Sequence, residues 1–340
     1  MSLSEFESKS NETDEVEIRV WFDVVLFCSV LEQHGTSTYS FCIRLESPLS
    51  QGDFGELYVV VTGQRGHCRR QREVNPVIEQ VVIPINKPCI FLQGAGRNST
   101  SIEWGDHGNA TFYTKANNTI AKGITFTNTL NKPIILEDTS TTITQAKAAR
   151  IHADKCVFFD CAFLGVQDTL YDDDGRHYYR NCYIQGGSDF IYGNGQSIFE
   201  ASHIHFSMGK DGPERDGVIT AHKRQTPNDT SGFVFKNCNI TGAKGKTMLG
   251  RSLRPYARVI IAYSFLSNVV TPEGWSARTF VGHEGNITFV EEGNRGPGAN
   301  KSKRVKWMKH LSGLALDQFL NISYIDEEGW IAELPPKIFI

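Results

Sequence analysis

The chain has 340 residues, of which 40% are hydrophobic, 11% aromatic and 21% charged, with 31 glycines, 12 prolines and a formal net charge of -3. That length buries a full core in one large domain or two small ones. The near-neutral balance excludes nucleic acid or an acidic surface as a partner held by bulk electrostatics, while leaving room for a local cationic site facing a polyanionic substrate.

Residues 1–50 read as an atypical, poorly ordered leader, and residues 51–340 as a single domain. The first fifteen residues are polar and acidic, and the segment shows no sustained period. Its apolar run, Val20 to Leu31, is interrupted by Asp23 and follows Glu12, Asp14, Glu15 and Glu17, unlike a secretory signal with its basic start. No stretch is long enough to span a membrane as a helix, so no membrane partner is expected. A strand is expected at Leu57 to Val61, followed by a basic stretch, GQRGHCRRQRE, whose lack of interleaved aromatics suits a solvated loop better than nucleic-acid binding.

From Val81 onward, short strand-like runs bounded by Gly, Asn and Asp follow one another. A local pattern recurs in GITFTNTLN, KCVFFDCAFLG, YYRNCYIQG, SIFEASHIHF, GFVFKNCNITG and RVIIAYSFLSN. Its matching positions are Asn128, Asp160, Asn181, Ala201, Asn237 and Tyr263, at irregular spacings of roughly 20 to 36 residues. A constant strand core with loops of varied length predicts coils stacked strand on strand, each covering its neighbour's apolar face. The fold class expected is therefore all-β, a right-handed parallel β-helix. A β-sandwich fits less well, because Asn-Gly hairpin turns between the runs are scarce. Near the end, Ser312 to Ile322 is the clear helical segment, with Leu316, Phe319 and Leu320 on one face, expected outside the coil stack or over one end.

The eight cysteines (Cys28, Cys42, Cys68, Cys89, Cys156, Cys161, Cys182 and Cys238) form no CxxC pair, and no His stands at zinc-finger spacing. No metal site is expected, and free thiols or one or two bridges both remain open. Nine Asn-x-Ser/Thr sequons lean towards a secreted glycoprotein.

Chemistry concentrates between Phe163 and Glu200. Two turns, GVQDTLY and GGSDFIYGN, each set one carboxylate, Asp168 and Asp189, beside Gly and an apolar or aromatic run. Burial raises a carboxyl pKa and a nearby cation lowers it, so two such groups can hold different protonation states, as a nucleophile and an acid/base require. Taken alone, either Asp reads better as a turn residue.

These two segments, with Thr144-Gln145-Ala146-Lys147-Ala148 before them and Leu249-Gly250-Arg251 after, resemble in order the signature segments of plant-type pectin methylesterases (pectinesterases). The resemblance runs from about Glu79 to Trp307. It implies a parallel β-helix that hydrolyses methyl esters of galacturonosyl units in pectin (homogalacturonan), releasing methanol without a cofactor or metal. Carried over by position, Asp189 matches the nucleophile, Asp168 the general acid that later serves as base, Gln145 and Gln167 the oxyanion-stabilising amides, and Arg251 the guanidinium that orients the nucleophile. Tyr171, Phe190, Tyr192 and Trp275 are the candidate sugar contacts. The family also implies a monomer in the cell wall, with a pectinesterase-inhibitor protein as a further partner.

The chain departs from the family pattern in three places. Asn75 and Val77 stand where a Gly-x-Tyr-x-Glu segment has Gly and Tyr, with Glu79 retained. Leu253 stands where a Trp is usual after Leu-Gly-Arg. Trp275 lacks the second Trp often found shortly after it, and Arg278 and Phe280 lie nearby instead. These changes keep a second reading open, a weak or silent wall protein that binds pectin or an inhibitor. A β-helix lyase or glycosidase would need another site; a lyase needs a calcium-binding carboxylate cluster, and Asp172-Asp173-Asp174-Gly175 reads better as a solvated turn.

Overall fold

The computed structural model describes residues 78–131, 143–208, 216–243 and 245–334, together with the backbone of Val77 and of the strands Glu15–Arg19, Val25–Ser29, Ser40–Leu45 and Gly55–Thr62. Short strands pair into one sheet of ten strands and two of eight, parallel throughout except for one end strand of the ten. Each coil gives one strand to each sheet in turn. Cys156–Phe159, Ala162–Leu164 and Leu170–Asp174 make one coil, and Arg176–Arg180, Tyr183–Gly186 and Ser188–Gly193 lie in register on them as the next. This is the expected parallel β-helix.

The corner between the ten-stranded sheet and the next explains the recurring sequence pattern. Asp160, Asn181, Ala201, Asn237 and Tyr263 all stand there at φ between 50 and 55°, a left-handed backbone that costs most L-residues roughly 1–2 kcal/mol. Each donates its N–H to the last strand carbonyl of the following coil, as Asn181 does to Glu200 (3.0 Å) and Asn237 to Ala262 (3.1 Å). Asn128 is misplaced in the predicted series, since it ends the strand Thr125–Asn128; Gly123, at φ 67°, holds the corner of that coil. A glycine reaches that conformation freely, which is why no side-chain signal marked the position.

Ile124 follows the Gly123 corner, but immediately after the other five a small residue turns inward. Cys161, Cys182, Ser202, Cys238 and Ser264 are all buried there. The Ser202 and Ser264 hydroxyls accept from the N–H of Cys182 (3.0 Å) and Cys238 (2.9 Å). The three thiols lean on carbonyls of the preceding coil: Cys161 on Ala121, Cys182 on Phe158 and Cys238 on Phe199.

Period-two alternation then divides the ten-stranded sheet. Phe158, Tyr179, Phe199 and Phe235 point inward and stack ring on ring, with centroids 4.5–5.1 Å apart. Val157, Tyr178, Ile198, Val234, Ile260 and Val290 share the outer face, which Leu316 and Leu320 of the helix Leu314–Leu320 cover together with Ile325, Trp330 and Leu334. The helix thus lies outside the coils, as its apolar spacing predicted.

Two expectations change. Glu15–Arg19 pairs antiparallel with Val25–Ser29, and Ser40–Leu45 with Gly55–Thr62. The first three of these strands lie within residues 1–50, the segment read as a leader, whose runs are too short to register as a sustained period, while Gly55–Thr62 contains the strand expected at Leu57 to Val61. The rest of that leader and the basic stretch after Thr62 lie outside the described residues. Asp172 to Asp174 are strand rather than solvated turn: alternation drives Asp172 fully inside, while Asp173 and Asp174 face out.

The corner geometry carries a direct expectation. Asn237 is exposed and its side chain takes no part in the ladder, so Asn237→Ala should lose about 1 kcal/mol in urea unfolding, whereas Asn237→Gly should match or exceed the parent. Equal loss in both variants would contradict the left-handed corner.

Candidate active site

One face of the third sheet carries the site. Tyr113, Arg150, Tyr171, Tyr192, Ala221, Arg251 and Ser276 follow one another in register across successive coils on its outward side, with Ala221 fully covered. At the entrance to these strands the backbone of Gln145 bridges that of Gln167, and Gln167 bridges Ser188. The residues that follow, Asp168 and Asp189, are therefore neighbours one coil apart, and the Asp168 N–H donates to the Ser188 carbonyl at 3.0 Å. Both aspartates are left-handed, at φ 61° and 47°, and strain of this kind persists where the surrounding structure over-determines it. Gly186 admits the turn: a Cβ there would fall 2.2 Å from the Cβ of Phe190.

The two carboxylates differ in their company. Asp189 is 8% exposed; its Oδ2 accepts a hydrogen bond from the Arg251 guanidinium, and its Oδ1 has no partner. Asp168 is 5% exposed. Burial, reinforced by the neighbouring Asp189 charge, pushes its carboxyl from 3.8 up to about 7, against the opposing pull of Lys147, Lys223 and Arg251. Gln145 is exposed and Gln167 half-buried. Neither amide group is held by a side-chain hydrogen bond to another described residue. Asp168, Asp189, Gln145, Gln167 and Arg251 thus come together from four separate sequence segments.

The expected sugar contacts divide. Tyr171 and Tyr192 stack at 4.3 Å between centroids on the outer face, Tyr171 half-buried and Tyr192 with only its edge exposed. Phe190 and Trp275 are corrected: they are 0% and 2% exposed and belong to the apolar interior. The irregularity between Ser188 and Ile191, with Asp189 left-handed, breaks the alternation there, so Phe190 and Ile191 both lie inward before Tyr192 turns out. Trp275 points in and donates its indole N–H to the buried Glu291 carboxylate at 2.9 Å.

Other residues of the site escaped the sequence reading. Lys147 and Lys223 flank Asp168. The Arg150 Nε and Nη2 both donate to Asp173 Oδ2, at 2.9 and 2.6 Å. Beneath the tyrosines, Ser197 donates to Asp172 at 2.8 Å and His177 Nδ1 stands 3.1 Å from the same carboxylate, all three fully buried. Burial pulls the His177 pKa down, but Asp172 and the Ala153 carbonyl outweigh it and the net shift is upward. Alternation and register were the available signals for Arg150, which shares the outward set of Tyr171; the pairing of His177 with Asp172 depends on adjacent strands and has no signature in the chain.

In this parallel β-helix a guanidinium-bound carboxylate stands beside a buried one whose pKa is raised, so one site holds two carboxyl groups in unlike environments. The comparisons narrow this. The pectinesterase family profile matches residues 76–327. Over 261 residues the chain is 46% identical to "Probable pectinesterase 29" of Arabidopsis thaliana, covering 76% of this chain and 78% of that one. "Probable pectinesterase 55" of the same plant is 44% identical over 264 residues, covering 76% and 80%. Among solved structures, pectin methylesterase from carrot superposes with a TM-score of 0.72 at 26% identity, covering 85% of this chain and 90% of that one. The Aspergillus niger enzyme gives 0.67 at 26%, over 85% and 90%. The chain belongs to the pectinesterase family.

The raised pKa of Asp168 links the site to stability. The native state holds this proton more tightly than the unfolded chain, so stability falls as pH rises from about 4 through about 7. Asp168→Asn should therefore melt above the parent at pH 8, with the gap closing towards pH 4. An unchanged melting difference across that range would contradict the shift.

Proposed function

We propose that Asp189 and Asp168 divide the hydrolysis of pectin methyl esters between them, Asp189 as nucleophile and Asp168 as acid and then base. As a pectinesterase the chain is a carboxylic ester hydrolase. The observation that carries the division of labour is the asymmetry of the pair: Asp189 is tethered to Arg251 through one oxygen with the other unbonded, while Asp168 stays protonated up to about pH 7.

In this reading an Asp189 carboxylate oxygen adds to the C6 carbonyl of a methylated galacturonosyl unit. The Gln145 and Gln167 NH2 groups donate to the oxygen that gains charge. Collapse of the adduct breaks the C–O bond to the methoxy group, which takes the Asp168 proton and leaves as methanol. The resulting anhydride joins the sugar acyl group to Asp189. Asp168, now a carboxylate, accepts a proton from water as its oxygen attacks the acyl carbon. The product carboxylic acid forms and Asp189 is regenerated. The half-buried Tyr171, with the exposed edge of Tyr192, offers an aromatic contact for a sugar. The assembled site favours an active enzyme over the silent pectin-binding reading. A wall location, a monomeric state and an inhibitor protein as partner complete the proposal by family resemblance; among the described residues no helix is long and apolar enough to cross a membrane.

Methanol release from highly methylated pectin tests the assignment. Asp189→Ala should abolish it in a folded protein, and Gln167→Ala should lower kcat by about a hundredfold. Because the acid must be protonated on entry, kcat/KM should fall tenfold per pH unit above about 7. A folded Asp189→Ala variant that keeps releasing methanol would remove Asp189 from the role.

A further inference from the structure

The other eight-stranded sheet, which each coil enters from its corner, has an outward face of its own. On its strand His203–Phe206, alternation sends Ile204 and Phe206 into the core and leaves His203 and His205 outward and half-buried. The strand Asn239–Gly242 of the next coil lies in register beside it, with Thr241 opposite His205. Thr241 Oγ1 stands 2.7 Å from His203 Nε2 and 2.8 Å from His205 Nδ1, so two imidazoles converge on one oxygen. The Tyr183 ring of the preceding coil closes one side, 5.1 Å from the His203 ring centre and 6.0 Å from that of His205.

Two ring nitrogens and a hydroxyl so placed have the spacing of metal donors. Around an ion with bonds of about 2.1 Å, adjacent donor atoms lie about 3 Å apart. Two ring centres sharing such an ion stand at most about 6.5 Å apart, and these stand 5.7 Å apart. Imidazole ligates as the neutral ring. Burial holds both pKa values below the usual 6.5, and at His203 the neighbouring ring and Arg97 push the same way. Coordination needs only a tautomer change. A ring that presents its N–H to Thr241 carries that proton on its other nitrogen instead, and none is released.

The donors also choose the ion. None is anionic, and among the described residues no group of three His, Cys, Asp or Glu stands together. Calcium and magnesium rely on several oxygen ligands, carboxylates above all. Imidazole suits copper(II), nickel(II) and zinc(II), with copper(II) the tightest in the usual order. We propose that His203, His205 and Thr241 form a binding site for a divalent late transition-metal ion, copper(II) first among them, with water completing its coordination. The site lies on a different sheet from Asp168 and Asp189 and stands independently of the esterase reading. CxxC and zinc-finger spacings could not have marked it, because a His-x-His on one strand face matches neither and Thr241 comes from the next coil.

The full chain without a histidine tag is titrated with copper(II) chloride at neutral pH, by calorimetry and electron paramagnetic resonance, beside His203→Gln and His205→Gln. Melting curves first establish that each variant folds. The wild-type spectrum should show copper held by two imidazole nitrogens. Because the ligands come from two coils, saturating copper should also raise the melting temperature by a few degrees. Each variant should lose one of the two nitrogens, at least about tenfold in affinity and the melting shift. Zinc(II) should bind more weakly at the same place, and calcium should not compete. Methanol release by both variants should match wild type, since neither residue borders the aspartate pair. A wild-type spectrum without two imidazole nitrogens would overturn the proposal, as would copper affinity unchanged in both folded variants.

Discussion

From the strand Ile120–Lys122 to the strand Thr288–Glu292, each coil turns out of the ten-stranded sheet through one residue in left-handed conformation, and the rest of the architecture depends on that turn. It sets the phase of the alternation that follows. The next residue points inward, most often a Cys or Ser and after Gly123 an Ile, and the strand residues beyond it take their faces from that start. Because the corner N–H bonds to the coil above, the same phase is handed on from coil to coil. A slip of one residue would exchange core and surface along a whole strand. The Phe158, Tyr179, Phe199 and Phe235 stack and the outer row under the C-terminal helix are both products of this shared phase.

The same regularity lets a costly site exist. Two carboxylates next to each other, both at most 8% exposed, oppose folding unless charge is removed or compensated. Here one is compensated by Arg251 from two coils further on, and the other retains its proton. Neither solution is available to a single hairpin or loop. Sheet register delivers Arg251 to Asp189 because both strands are fixed along their lengths by many parallel pairings. The left-handed φ values of the two aspartates add strain at the same point, supported by the rigid coils on either side.

Much of this was legible in the chain, unevenly. The corner residues were visible where they were Asp, Asn, Ala or Tyr followed by a small residue, and invisible at Gly123, whose lack of a side chain leaves no pattern. Asp168, Asp189, Gln145, Gln167 and Arg251 could be named from ordered motifs, but that they meet is a matter of register. Phe190 and Trp275 show the limit of reading aromatics from a motif. An aromatic beside a reactive residue can be core or cleft, and only the strand's phase decides which. Asp172 shows the converse, an acidic run taken for solvent because its buried partners, His177 and Ser197, come from neighbouring strands.

The thiols beneath the corners bear on how the chain survives oxidation. Cys161 and Cys238 have their pKa pushed by burial from 9.0 to about 12, leaving roughly a thousandfold less of the attacking thiolate at neutral pH. Their sulfurs also lie behind the strand wall, out of reach of a soluble disulfide. Together these keep the sulfurs chemically silent while the coils are closed, and ready to cross-link once they open. Coil closure thus acts as the chain's own redox protection, and the order in which coils close during folding decides which sulfurs stay vulnerable longest.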